Sequence, residues 1–299
     1  MGKLLCIYHG NCADGFGAAW VVRYCFGEDV EFHAGVYQDP PPDVTGRDVL
    51  MVDFCYKRPV LDEMANIARS IVILDHHKSA AEDLGDLPES SGDWDTDMEM
   101  AKEAVSLGDP PVFALFDMER SGAGITWDYL FPRSSRPPLI NHIEDRDLWR
   151  FALEGTREIQ AAVFSHPYDF RVWDELMQMD TEALRSDGRA IERKHFKDIR
   201  EFIGAARVRM EIAGYFVPAL NAPYCWSSDA GHEMAAGEPF AACYWDTPDG
   251  RVFSLRSLPG GVDVSSVARQ YGGGGHEHAA GFRVPHGAPD MPELVRDAE

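Results

Sequence analysis

The chain has 299 residues, 45% of them hydrophobic and 26% charged, with 50 acidic side chains against 28 basic and a formal net charge of -22. That composition is ordinary for a globular protein with room for two domains. So acidic a surface repels long phosphate backbones and argues against a duplex nucleic acid as partner, although a small anion can still bind a locally positive site.

No run approaches the ~20 apolar residues of a membrane span. The N-terminus lacks a signal peptide's apolar core. Six cysteines are scattered without a CxxC pair. These features predict a cytoplasmic protein with reduced thiols and no membrane association.

In chain order, "KLLCIYH" reads as a buried strand and "FGAAWVVRYCF" as a helix folded back on it. "VEFHAGVY" is a second strand, "RDVLMVDFCY" a third, "RPVLDEMANIARS" a helix and "SIVILDHH" a fourth strand. Near-continuous apolar strands alternating with helices predict an α/β fold, a parallel sheet covered on both faces. From Glu82 to Asp109 the chain is acidic, with Lys102 its only basic residue, and reads as a solvated excursion with a short helix. "SGAGITWDYLF" predicts a helix opening at Ser121, and "PPLINHIEDRDLWRF" one that ends in carboxylates.

Thr181 to Met210 carries a long, charged helical pattern, read as a connecting helix. Beyond it, "EIAGYFVPAL", "EPFAACYWD", "RVFSLRSL" and "AAGFRV" read as strands and "VDVSSVARQY" as a helix. The expected organisation is a catalytic domain over 1–180, a connecting helix over 181–210 and a smaller α/β domain over 211–299.

Polar residues gather where strands end: His9, Asp53, Asp75, His76 and His77. In open α/β sheets that edge binds ligands. Carboxylates converging there repel one another, a cost that divalent cations remove. Two such ions can activate water and clamp a phosphoryl group. Imidazole with carboxylate suits Mn²⁺, Zn²⁺ or Fe²⁺ better than Mg²⁺.

The stretch "LDHHKSA" (74–80) resembles the signature of the DHH phosphoesterase superfamily. "HGNCADG" precedes it, "VDF" stands at Asp53, "IEDRD" at Asp145, and "GGGGHEHAAGF" (272–282) is similar to the substrate loop of the DHH-associated C-terminal domain. The resemblance covers nearly the whole chain. It implies two divalent metal ions, with Mn²⁺ favoured, held by His9, Asp14, Asp53, His76 and Asp145, with Asp53 bridging and Asp147 a close rival of Asp145. Asp75 would orient a histidine and His77 would face the scissile phosphate. In the C-terminal domain, Gly273, Gly274, Gly275, His276 and Arg256 would hold the nucleotide end; successive glycines let N–H groups approach an anion, and arginine offers a bidentate fork.

One position departs from the family pattern. Where a first acid is expected, the chain has Cys12, which would leave His9, Cys12 and Asn11 around the first metal and either shift preference toward softer ions or weaken that site. Each feature also has a plainer reading: a helix cap for the histidine pair, a flexible turn for the glycines, a structural thiol for Cys12 and a surface charge for Arg256.

The implied activity is hydrolysis of phosphodiester bonds in short oligonucleotides or small nucleotides, as in compact nano-RNases; RecJ-like relatives acting on long strands carry extra domains. The alternatives are a phosphatase or pyrophosphatase, or a nucleotide-binding regulator with a decayed metal site.

Overall fold

The computed structural model describes residues 3–10 and 12–294. Asn11 lies outside the described residues. The chain forms two compact units, residues 1–192 and 193–299.

The first unit is built on five strands: β1 (Leu4–His9), β2 (Val30–Gly35), β3 (Asp48–Val52), β4 (Ser70–Asp75) and β5 (Val112–Phe116). All pair in parallel, in the order β2-β1-β3-β4-β5. Alternate residues of each strand enter opposite cores, as a two-residue period requires. Cys6, Leu50, Val52, Val72 and Leu74 face one side, against α1 (Ala13–Phe26), α5 (Gly122–Leu130), α6 (Pro138–Asp147), α7 (Thr156–Phe164) and α8 (Phe170–Leu176). Leu5, Ile7, Val49, Met51, Ile71 and Ile73 face the other, against α2 (Arg58–Ala65) and α3 (Lys78–Leu84). The sheet is thus buried on both faces, which is why its strands read as unbroken apolar runs.

Three local expectations change. Helix α1 starts at Ala13 rather than Phe16, because Gly15 has no side chain to collide with His9. The acidic stretch holds a 14-residue helix, α4 (Trp94–Leu107), that docks on the unit rather than a short solvated one. Its Asp97 is fully buried and accepts hydrogen bonds from Ser90 Oγ (2.5 Å), Ser91 N (2.7 Å) and Tyr129 Oη (2.7 Å). Strand β5, unanticipated, follows it between Pro111 and Asp117.

Helix α9 (Thr181–Ala206) contains the division between the units. The second unit has a mixed sheet of β6 (Val208–Ile212), β7 (Tyr215–Asn221), β8 (Ala241–Thr247), β9 (Gly250–Arg256), β10 (Gly274–Gly275), β11 (Ala279–Val284) and β12 (Glu293–Leu294). The order is β10-β11-β9-β8-β7-β6-β12, with only β7 and β8 parallel. Helices α10 (Ser227–Met234) and α11 (Val264–Gln270) pack on it.

Candidate metal centre

Strand order fixes where polar groups meet. The chain leaves β1 for β2 on one side, then crosses to β3 on the other, so the sheet's switch point lies between β1 and β3. Ligands bind at the carboxyl ends flanking such a point. His9 closes β1, Asp53 follows β3, and Asp75, His76 and His77 end β4.

Asp53 is the hub. Its backbone takes φ +55°. That conformation costs a non-glycine residue about 1–3 kcal/mol and persists only where surroundings enforce it. Its N–H donates to Leu74 O (2.9 Å). Oδ1 lies 3.0 Å from His76 Nε2 and 3.9 Å from His77 Nδ1, and Oδ2 lies 3.4 Å from His9 Nδ1. His76 Nε2 also meets Asp14 Oδ2 at 3.7 Å and Asp147 Oδ2 at 3.5 Å. Asp75 turns its Oδ1 to the His76 N–H (2.8 Å), the His77 N–H (3.3 Å) and His77 Nδ1 (2.7 Å). It thereby fixes the orientation of the His77 ring.

Asp14 is aimed by a helix end. Its oxygens accept from the Gly122 N–H (2.6 Å) and the Ala123 N–H (3.0 Å) at the start of α5, which Ser121 caps through the Gly124 N–H. Unsatisfied N–H groups and the helix dipole both favour a carboxylate there. Gly122 is required: a Cβ would overlap that of Asp53 and come within 2.9 Å of Asp14 Oδ2. The glycines of "SGAG" signalled this close approach, but reading the segment only as a helix start missed it.

Burial and mutual charge disturb every acid. Burial pushes Asp53 upward, but the hydrogen bond from His76 and the close approach of His9 override it and hold the carboxyl far below its usual range. Burial and the Asp53 and Asp147 charges raise Asp14 well above that range. Asp147 is raised by burial and, with Asp53 nearby, stays raised despite His76. Burial would lower His76, yet the Asp53 hydrogen bond and the surrounding acids raise it strongly. Burial likewise opposes His9, but the nearby Asp53 and Cys12 prevail and raise it. The Cys12 thiol is raised, chiefly by burial, and only partly offset by His9.

These side chains fit divalent cations. Two three-ligand groups, His9–Asp53–His77 and Asp14–Asp53–His76, each bring their ligand atoms within 4.8 Å of one another, and they share Asp53. Buried Asp53 Oδ2 has no hydrogen-bond partner among the described residues.

Asp145 does not join them. Its carboxylate accepts from the Ala152 N–H (2.8 Å), the Leu153 N–H (3.1 Å) and Thr156 Oγ1 (2.6 Å), so the acid facing His76 is its rival, Asp147. Two residues along a helix, side chains point about 200° apart, and the fold uses the first acid to hold the following loop and the second at the site. Cys12 lies beside His9 but outside both three-ligand groups. Tyr37, unanticipated, sets its ring against His9 (5.4 Å) and His77 (6.0 Å).

The remaining site candidates belong to the second unit. The N–H groups of Gly272, Gly273 and His276 donate to Arg269 O, Ala268 O and Ala279 O, while Gly274 and Gly275 form β10 against β11. A Cβ on Gly273 would overlap Gly281 O and approach Phe282 Cβ to 2.6 Å. Strand packing therefore demands glycine at 273, and three N–H groups of the loop are bonded to carbonyls. Arg256 ends β9, paired in register with Ala279, and donates to Ser254 Oγ (3.0 Å), Leu255 O (2.8 Å) and Ser228 Oγ (2.8 Å).

No family model matches the chain. A curated relative, the uncharacterized protein R106 of Acanthamoeba polyphaga mimivirus, is 30% identical over 305 residues, covering 92% of this chain and 66% of that protein. The chain thus spans just under two thirds of that relative's length. Among solved structures it is similar to RecJ of Thermus thermophilus in complex with Mn²⁺, at 14% identity over 95% of this chain and 50% of that one, TM-score 0.49. It is also similar to PggH, a pGpG-specific phosphodiesterase of Vibrio cholerae, at 12% identity over 95% and 94%, TM-score 0.43. Likenesses this distant carry no weight for the chemistry of the site.

Proposed function

We propose that the chain is a metal-dependent phosphoesterase of the DHH type, hydrolysing phosphodiester bonds in short oligonucleotides or small nucleotides. The observation that supports it best is the sharing of Asp53 by two three-ligand groups at the sheet's switch point. His9, Asp53 and His77 would hold one cation and Asp14, Asp53 and His76 the other, with Asp147 beside the second and Cys12 beside the first. When bound, two divalent cations, Mn²⁺ by preference, would supply an activated water and neutralise charge on the phosphoryl oxygens.

The chain's own side chains prepare that chemistry. Asp75 holds Nδ1 of His77 and so fixes the orientation of the ring. The α5 N-terminus holds Asp14 in place through the Gly122 and Ala123 N–H groups, a fixed arrangement of the kind that favours catalysis. Arg256 and His276 of the second unit are assigned the substrate's terminal phosphate.

The deciding experiment is turnover of a panel with Mn²⁺ present and then chelated: a dinucleotide, a pentanucleotide, a strand of about 30 nucleotides, a nucleoside 3′,5′-bisphosphate and pyrophosphate. With a net charge of -22, efficiency should fall from the short oligonucleotides to the long strand. Exclusive turnover of pyrophosphate or the bisphosphate would replace the phosphodiesterase reading. Tight nucleotide binding with no turnover in any metal would replace catalysis altogether.

A further inference from the structure

Next to Asp147 lies a group of side chains that the metal centre does not use. The chain leaves α6 through Trp149 and Phe151, both with positive φ, 55° and 48°. Bulky residues rarely adopt this backbone. Asp145 enforces it: its carbonyl accepts from the Arg150 and Phe151 N–H groups, and its carboxylate holds the next two.

The strained loop brings aromatic rings to two guanidinium groups. Arg146 lies 4.6 Å from the Phe164 ring centre and 5.7 Å from that of Trp149. Arg157 lies 3.7 Å from Phe151 and 5.7 Å from Trp149.

Most half-buried arginines of this acidic chain, among them Arg23, Arg47, Arg69, Arg120, Arg136 and Arg251, pair with carboxylates. Arg146, also half-buried, makes no ion pair among the described residues. Its charge acts on the neighbouring Asp147 carboxyl, but the two form no ion pair. A guanidinium lying on ring faces keeps its N–H edge available for a phosphate, which it can grip in bidentate fashion. Phe164 is 44% exposed and offers a ring on which a base can stack.

We propose that Arg146, Trp149, Phe151, Arg157 and Phe164 form a binding platform for one nucleotide of a single-stranded oligonucleotide, its phosphate on Arg146 and its base on Phe164. The inference rests on the proposed function and narrows its substrate: a pyrophosphate or polyphosphate has no use for the rings, and a duplex hides its base faces.

The test is equilibrium binding of a fluorescein-labelled pentathymidylate, read by anisotropy in chelator so that no turnover is needed. Arg146→Gln should weaken binding at least about tenfold and flatten the salt dependence by about 0.7 in log–log slope, one phosphate contact. Arg146→Lys should restore the slope. Phe164→Ala should weaken pentathymidylate about tenfold while leaving an abasic sugar-phosphate pentamer unchanged.

The platform fails if the folded variants bind like the wild type, if Phe164→Ala weakens both oligomers equally, or if the wild type shows no binding at low salt. Hydrolysis of oligonucleotides with binding unaffected by these substitutions would remove the platform and leave the phosphodiesterase. Oligonucleotide binding lost in both variants of a protein that never turns over would do the reverse.

Discussion

At the carboxyl edge of the parallel sheet, charged side chains are forced together. In the glycine loop of the mixed sheet, side chains are absent so that backbones can touch. The first region leaves electrostatics unresolved: three acids, Asp14, Asp53 and Asp147, share His76, and one buried oxygen of Asp53 has no hydrogen-bond partner among the described residues. The second is resolved internally, its glycines packed on β11 and three of its N–H groups bonded to carbonyls. Unresolved charge is where a ligand gains most, whereas a glycine run can be explained by packing alone.

The sharpest way to break this contrast is Asp53→Asn. Asparagine tolerates positive φ, so the fold should survive while turnover falls by about 1,000-fold or more, with metal content lost alongside it. Turnover in Mn²⁺ and metal analysis of the purified variant check this. Near-normal activity in a folded variant would end the shared-ligand reading.

Next in size is a matched pair of glycine substitutions. Gly122→Ala should displace Asp53 and Asp14 and abolish metal binding, because its Cβ has no room beside either. Gly273→Ala should destabilise the second unit by about 1–3 kcal/mol, the usual cost of overpacking, with metal content unchanged. Denaturation followed with metal analysis separates the two, and metal loss in the Gly273→Ala protein would undo the division drawn here.

A second pair tests the exchange of Asp145 for Asp147. Asp145→Ala leaves the Ala152 and Leu153 N–H groups without their carboxylate and takes one of the Thr156 hydroxyl's partners. It should lower stability by about 1–3 kcal/mol. Asp147→Ala, which relieves a raised acid, should cost little stability but weaken metal affinity. Thermal melts of the metal-free proteins and metal titration of each give the comparison. The opposite pattern would restore Asp145 to the site.

The smallest expected effect is at Cys12. Cys12→Ser should weaken Zn²⁺ binding about tenfold, as loss of a partner beside a ligand does, and leave Mn²⁺ nearly unchanged. Equal shifts for both ions in a competition titration would make the thiol a structural neighbour only.

The parallel sheet and the strand-end positions of His9, Asp53, Asp75, His76 and His77 were determined by local sequence alone. Apolar runs bounded by turns set strands buried on two faces, and strands that share a direction deliver their last residues to one edge. Strand β5 escaped because five residues behind a long acidic stretch give too short a pattern. Docking of α4 escaped because Asp97 looks like any other acid until Ser90, Ser91 and Tyr129 surround it.

Tertiary structure alone decided which acid of "EDRD" faces His76, since the choice depends on where α6 lies against the sheet and on the Asp145 bonds to the next loop. It also decided that Gly122 must lack a side chain and that the glycine run serves β11. The placing of Asp147 against His76 and of Gly122 against Asp53 depends on contacts between residues distant in sequence, and residue type and spacing carry no record of such distances.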